Sequence, residues 1–162
     1  MTIDTIAKRV GQLPIKARQY QGIVCSFWGE NCAAFSDSVN NVFFGDCTDN
    51  ESVFFHELSH NLDHHVVGGS LNKPYSSTQD WVDTVLKGTC LPDRYAKADW
   101  HETYAQVGVL AAYHATVHSI FDTSPDKNID CLKDSVIKVI SQLDSVWRKK
   151  PGDQCESHWP MG

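Results

Sequence analysis

Two histidines and a glutamate stand at a spacing that suits metal chemistry, in the run His56-Glu57-Leu58-Ser59-His60. Residues four apart lie one turn above each other on the same face of a helix. His56 and His60 can therefore direct two imidazole rings at one ion, while Glu57 projects beside them. The pattern predicts a zinc site in which Glu57 acts as the general base that activates a water molecule.

A third protein ligand is expected downstream, because a catalytic zinc ion usually has three of them and an open fourth position. The positions that metzincins would use next are Asp63 and Val66. Asp63 lies on the same helix and cannot turn back onto the ion without strain, so the metzincin pattern fails. Asp93, which follows Gly88-Thr89 as in the deuterolysin group, is one remaining candidate.

The other candidate is Glu102, on a second helix. Small or apolar residues at 105, 109 and 112 share its face, which would allow that helix to approach the His56 helix closely. Glu102 also has a purely structural interpretation, since Asp99-Trp100-His101-Glu102 fits a capping box in which the glutamate bonds back to the helix start. Both interpretations stay open on the residues alone.

The stretch around Glu102 resembles the third-ligand helix of gluzincins, which are zincin metallopeptidases. Tyr95 stands seven residues ahead of Glu102 and the pair Tyr104-Ala105 follows it, as in catalytic domains of the anthrax lethal factor type. The stretch is also similar to small secreted fungal proteins of the conidiation-specific type that carry a metallopeptidase domain. The resemblance covers about residues 42–114, and His101, beside the ligand, has no counterpart role in it.

The resemblance implies that Zn²⁺ is held by His56, His60 and Glu102 in a secreted endopeptidase. Glu57 would pass a proton from water to the leaving amine, and the Tyr95 hydroxyl would donate a hydrogen bond to the oxyanion. The alternative is a catalytically silent, secreted effector or binding protein with the same fold. Retention of Glu57 favours the enzyme, because metal binding alone needs no base.

The remaining histidines carry less chemistry. His114 and His118 are four apart but lack an intervening glutamate, so a second metal site is not expected there. His64, His65 and His158 are interpreted as surface residues. Asp63 is a candidate hydrogen-bond acceptor behind the two predicted metal-binding histidines, with a solvent-facing charge as the alternative.

An α+β fold is predicted, consisting of one zincin-like domain over 1–162 with a small mixed sheet. Short runs rich in β-branched and aromatic residues predict strands at 15–20, 22–28 and 39–44, and 40–46 is expected to be an edge strand that pairs with substrate. Helical periodicity predicts helices at 3–10, 49–65 with Thr48 as N-cap, 77–87, 99–121 and 130–147.

The charge and hydropathy of the chain restrict its partners. Its 162 residues have a net charge of −6, and Lys and Arg cluster only in the short run 148–150, so nucleic acid is not expected to bind. No apolar stretch reaches the ~20 residues that span a bilayer. We expect a monomer whose partner is a peptide or protein substrate.

Six cysteines without a Cys-x-x-Cys pair predict three disulfides and an oxidising, extracellular location. Short loops would be closed by pairing Cys25 with Cys32 or Cys47, and Cys131 with Cys155. The first residues lack the basic and apolar regions of a signal peptide, so the expectation of export depends on the cysteines alone.

Overall fold

Six α-helices and a three-stranded sheet form the regular structure of residues 1–37, 39–67, 73–122 and 129–155, which the computed structural model describes. The helices are α1 (Ile3–Gln12), α2 (Ile15–Arg18), α3 (Glu51–Leu62), α4 (Gln79–Leu86), α5 (Trp100–Thr116) and α6 (Lys133–Trp147). The strands are β1 (Val24–Phe27), β2 (Ala33–Ser36) and β3 (Asn41–Phe44). The predicted α+β class is therefore confirmed. No helix in these ranges is both long and apolar enough to cross a bilayer.

The sheet is mixed, as predicted, and its strand order is β1-β3-β2. β1 runs parallel to β3 and β2 runs antiparallel to it. β3 is thus the central strand, so the prediction that 40–46 forms a substrate-binding edge is wrong. The two edge strands are β1 and β2, and the two alanines of β2 give little strand signal because alanine is depleted in strands.

The inner face of the sheet packs on α3. Phe43 of β3 is fully buried, and its ring stacks on Phe54 of α3 with the centroids 4.4 Å apart. Leu58 and Leu62 continue the buried stripe of α3 at the four-residue spacing of a helix face. Because α5 packs against both α3 and α6, α3 lies between the sheet and a second layer of helices.

α3 and α5 approach each other closely at Gly108. A Cβ atom at Gly108 would lie 2.3 Å from Ser59 Oγ and 2.6 Å from Ser59 Cβ, so no other residue fits there without movement of the backbone. Ala105 and Ala112, on the same side of α5, are also buried. Small side chains therefore allow the contact that the periodicity around Glu102 predicted.

Residues 15–20, predicted as a strand, instead begin with the short helix α2. Pro14 precedes α2 with φ −57°, a value that suits a helix start. Of the four residues of α2, Ile15 alone is β-branched, and Ala17 is fully buried, in keeping with the packing of α2 on α6. The packing of Ala17 therefore favours a helix in residues 15–18, although the apolar residues of the run 15–20 predicted a strand.

Two predicted helix ends also differ from the structure. Thr48 does not cap α3, because its amide and hydroxyl both donate to Asp46, and α3 begins after Asn50 without a side-chain cap. α3 then continues as a π-helical turn, Asp63–Val67. α5 ends at Thr116 rather than near 121, where the chain folds back so that the Ile120 amide donates to His114 Nδ1.

Two disulfides join distant parts of the described chain, Cys32–Cys47 and Cys90–Cys131. The predicted pairs of Cys25 with Cys32 or Cys47, and of Cys131 with Cys155, are wrong because those partners are bonded elsewhere. Cys25 lies on β1, where its neighbour on the central strand is Val42, and it forms no disulfide. Strand order, which the sequence does not reveal, decides the pairing.

Candidate metal centre

Three predicted ligands meet at one point between α3 and α5. His56 Nε2 lies 2.9 Å from Glu102 Oε2 and 3.2 Å from His60 Nε2, and His60 Nε2 lies 3.6 Å from Glu102 Oε2. Asp99 caps α5 by accepting a hydrogen bond from the Glu102 amide, which leaves the Glu102 carboxylate directed at the two rings. Among the described residues, these side chains form the group with the geometry to hold a metal ion.

The charges of this group favour a cation. Burial alone would raise the pKa of Glu102, but the hydrogen bond with His56 and the nearby His60 ring outweigh it and hold that pKa well below its usual range. Burial lowers the pKa of His60 to about 4, against the opposing effect of Glu102. The centre therefore combines an anionic carboxylate with a neutral imidazole at neutral pH, which is the form that binds metal.

Glu57 is almost fully buried beside the centre, with 3% of its surface exposed. Its Oε2 atom has no hydrogen-bond partner among the described residues. Burial raises the pKa of Glu57 to about 7; the interaction with His56 opposes this shift, and the negative charge of Glu102 adds to it. A carboxylate with this pKa can both accept and release a proton near neutral pH.

A cleft of about 340 Å³ opens onto His56 and Glu57. Residues of β2, of the start of α3 and of α5 line it, together with Tyr95. The Tyr95 ring lies 5.8 Å from the His56 ring, centroid to centroid, and is 54% exposed. Burial, then the negative charges of Glu102 and Glu57, raises the pKa of the Tyr95 hydroxyl, which remains a hydrogen-bond donor at neutral pH.

His101 and Asp63 form a contact beside the centre that the sequence did not reveal. Asp63 is fully buried and accepts hydrogen bonds from the Ser76 amide (2.9 Å) and hydroxyl (2.5 Å). The same carboxylate lies 3.1 Å from His101 Nδ1, and the His101 ring stacks on the His60 ring with the centroids 4.3 Å apart. Asp63 thereby joins the end of α3 to the start of α5.

Asp63 is therefore not the acceptor behind the rings of His56 and His60, because its carboxylate is engaged by Ser76 and His101. The alternative of a solvent-facing charge is wrong too, since Asp63 is fully buried. The Nδ1 atoms of His56 and His60 are buried and have no hydrogen-bond partner among the described residues. The sequence held one indication of the contact between Asp63 and His101. Asp63 follows His60 by three residues and His101 directly precedes Glu102, so each lies next to a predicted ligand. Ser76, in the 3₁₀ turn Tyr75–Ser77, left no such signal.

The other candidate ligands lie apart from the centre. Asp93 accepts hydrogen bonds from the Ala96 amide and from Gln106 Nε2, each within 3 Å. His114 and His118 contact different partners, the Ile120 amide and the Tyr113 hydroxyl.

The predicted surface histidines differ from one another. His64 and His65 are half-buried rather than exposed, and the His64 ring contacts the edge of His101 with the centroids 5.3 Å apart. His158 lies outside the described residues.

Comparison with known proteins identifies the family. The family model for the conidiation-specific protein Con-13 matches residues 1–161. Conidiation-specific protein 13 of Neurospora crassa is 62% identical over 159 residues, which are 98% of this chain and 46% of that protein. The chain thus spans about half the length of this relative. No solved structure matches the chain.

The expected assignment to a zincin metallopeptidase family, of the gluzincin or anthrax lethal factor type, is wrong. It depended on two short motifs, whereas the match found extends over nearly the whole chain, and its description names no peptidase. The chain belongs to the Con-13 family of conidiation-specific proteins.

Proposed function

We propose that this chain is a zinc-dependent peptidase whose metal is held by His56, His60 and Glu102. The observation that carries the proposal is the set of donor-atom separations, 2.9, 3.2 and 3.6 Å. Ligands at the usual zinc distances of about 2.0–2.1 Å in tetrahedral geometry stand roughly 3.3 Å apart. Two imidazole nitrogens and one carboxylate oxygen are also a donor set that zinc prefers.

Zinc bound there would supply a Lewis acid and lower the pKa of water to near 7. Glu57 lies beside the ligands and belongs to the lining of the cleft, so its carboxylate would take a proton from a water molecule there and pass it to the leaving amine.

The cleft suits an extended peptide. β2 pairs with β3 on one side only, and Ala33 and Ala34 of β2 line the cleft. Its other edge can add a substrate strand through backbone hydrogen bonds, and the small alanine side chains leave room for it. Tyr95 is also part of the lining of the cleft, and its hydroxyl would donate a hydrogen bond to the developing oxyanion.

The setting of this activity is also a proposal. Two disulfides suit an oxidising compartment, so we expect the protein to be exported. The name of the Neurospora relative connects that protein with conidiation, and we expect this chain to act at the same stage.

Metal analysis and a cleavage assay on unfolded casein test the proposal together. Wild type and Glu57→Gln should each retain one zinc per chain, while Glu57→Gln lowers the cleavage rate by roughly 10²- to 10⁴-fold. Glu102→Ala should lose both zinc and activity, and His114→Ala, on the same helix but away from the centre, should lose neither.

Absence of zinc from the wild type after reconstitution would contradict the metal centre. Zinc together with equal residual cleavage by wild type and Glu57→Gln would contradict the peptidase, and would instead favour a zinc-binding protein without catalysis.

A further inference from the structure

The outer face of the sheet is entirely apolar. Side chains alternate between the two faces of a strand, and Phe43 and Asn41 of the central strand point inward and are fully buried. With the observed register, the outer sheet face consists of Cys25, Phe27, Ala33, Phe35, Val42 and Phe44. Antiparallel or mixed sheets with one solvated face normally alternate apolar and polar residues, so this face departs from the expected pattern.

Aromatic rings form the centre of this face. The Phe44 ring lies 5.7 Å from the Phe27 ring and 6.2 Å from the Phe35 ring, centroid to centroid, and both pairs are stacked. Phe27 and Phe35 are 54% and 49% exposed. A row of three rings, of which the outer two are exposed and Phe44 is partly buried, is an apolar patch of the kind that marks an interaction site.

The surrounding charges identify what this face can accept. Across 21–48, which contains the whole sheet, the charged residues are Glu30, Asp37 and Asp46, and no Lys or Arg occurs. An anionic lipid surface or a nucleic acid would require basic residues at the rim. The face itself has no charged side chain, so two copies can meet through it without placing like charges in contact, although each chain carries a net charge of −6.

The available area suits a weak complex. An aromatic side chain buries about 150–250 Å² when fully covered, so the two half-exposed phenylalanines contribute roughly 200 Å². Ile23, which precedes β1 in step with Cys25 and Phe27 and is 66% exposed, and the partly exposed remainder of the face raise the apolar surface to roughly 400 Å² per copy. A pair of copies would bury roughly 800 Å², a size that suits only a weak, transient interface.

We propose that the outer sheet face is a self-association surface through which two copies of this chain form a weak, face-to-face homodimer. The contact is isologous, so each copy presents the same six residues to the other. Ala33 belongs both to this face and to the lining of the cleft, so the dimer contact borders the cleft. This proposal replaces the expectation of a monomer and is independent of the proposed peptidase activity.

Sedimentation velocity of the whole chain, at concentrations from about 1 µM to about 500 µM, tests the proposal over the range of a weak complex. The wild-type mass should rise from 18.2 kDa toward twice that value. Phe27→Ser/Phe35→Ser should stay at the monomer mass throughout. Leu86→Ser, which removes an exposed apolar side chain of α4, should associate like the wild type.

Salt supplies a second readout. Higher salt should strengthen the association, because it screens the acidic rim and favours apolar burial, whereas a contact made by ion pairs would weaken. Phe35→Lys places a charge within the edge strand β2 and should abolish association. It tests the same face independently if the double serine variant does not fold. Circular dichroism establishes that each variant is folded.

A wild-type mass of 18.2 kDa at every concentration would overturn the proposal, as would equal association by the wild type and the folded phenylalanine variants. A monomeric wild type that binds neutral lipid vesicles through Phe27 and Phe35 would also overturn it, in favour of a membrane surface.

Discussion

Replacement of Asp63, beside the candidate metal centre, should affect both the stability of the fold and the orientation of His60. The buried carboxylate of Asp63 accepts hydrogen bonds from Ser76 and faces His101, and His101 stacks on the ring of His60, a proposed metal ligand. When a buried hydrogen-bond acceptor is removed, its donors are left unsatisfied, which lowers the free energy of unfolding by about 1–3 kcal/mol. The carboxylate thereby connects stability with the orientation of one ligand.

We therefore expect Asp63→Asn to destabilise the fold by about 2 kcal/mol and to weaken zinc binding, because an amide group presents a donor to the Ser76 amide. Urea denaturation and calorimetric zinc titration measure the two effects. Asp49→Asn, at an exposed position, should change neither. Full zinc affinity in a destabilised Asp63→Asn variant would mean that the His101 stack does not position His60.

Glu57 makes the stability of the metal-free protein depend on pH. Burial raises its pKa from the usual 4.5 to about 7, so between these values the folded protein holds a proton that the unfolded chain has released. Stability from this group therefore falls as pH rises through that interval. His60, whose pKa burial lowers to about 4, acts in the opposite direction below its usual 6.5.

Glu57→Gln should consequently stabilise the metal-free protein, with a gain that is small near pH 4.5 and grows to roughly 3 kcal/mol above pH 7. Urea denaturation in the presence of a chelator, at several pH values, measures the difference from wild type. Glu30→Gln, at an exposed site, is the matched control. A gain that does not vary with pH would contradict the raised pKa.

At the scale of elements, the centre depends on the approach of α5 to α3. His56 and His60 come from α3, and Glu102 comes from the first turn of α5, 46 residues after His56. Gly108 permits the approach because any Cβ there would meet Ser59. A glycine inside a helix costs about 1 kcal/mol relative to alanine, so its presence indicates that close packing outweighs helix propensity.

Gly108→Ala should thus separate the two helices and weaken zinc binding at least tenfold, despite the better helix propensity of alanine. Ser59→Gly in the same chain removes both atoms that the new methyl group meets, and should restore much of the affinity. Zinc titration of the wild type, the single variants and the double variant measures the coupling. An unaltered affinity in Gly108→Ala would show that the helices need not touch at this point.

The edge of β2 is a second property of whole elements. β2 pairs with β3 on the side away from β1, and Ala33 and Ala34 of β2 line the same cleft as Glu57. The disulfide Cys32–Cys47 holds the beginning of β2 close to the segment that leads into α3.

For the whole molecule, a bound metal would act as a cross-link between α3 and α5. A ligand that binds only the folded state stabilises it by RT ln(1 + [L]/Kd), about 4 kcal/mol when its concentration is 1,000 times Kd. Chelation should therefore lower the melting temperature of the wild type, and added zinc should restore it.

Differential scanning calorimetry with a chelator and with zinc measures this shift, which should grow with zinc concentration. Glu102→Ala should show little zinc-dependent shift, and His118→Ala should shift like the wild type. An equal shift in Glu102→Ala would place the stabilising zinc elsewhere on the chain.

Residues that lie close together on one helix could be identified from the sequence, because the regular spacing of a helix fixes their relative positions. The four-residue spacing of His56 and His60, the position of Glu57 between them and the mixed α+β class follow from periodicity, which acts over a few residues. The approximate ranges of α1, α4 and α6 follow in the same way, as does Asp99 at the start of α5.

Tertiary packing decided the rest. The sequence left Asp93 and Glu102 open as third ligands. Close packing of α5 on α3 at Gly108 brings Glu102 next to His56. Asp93 instead accepts hydrogen bonds from Gln106 and the Ala96 amide. Strand order put β2 at the edge and left Cys25 on the outer sheet face. Such contacts join residues far apart in the chain, and their free energies depend on which surfaces pack together. A local pattern of residue types does not specify that packing.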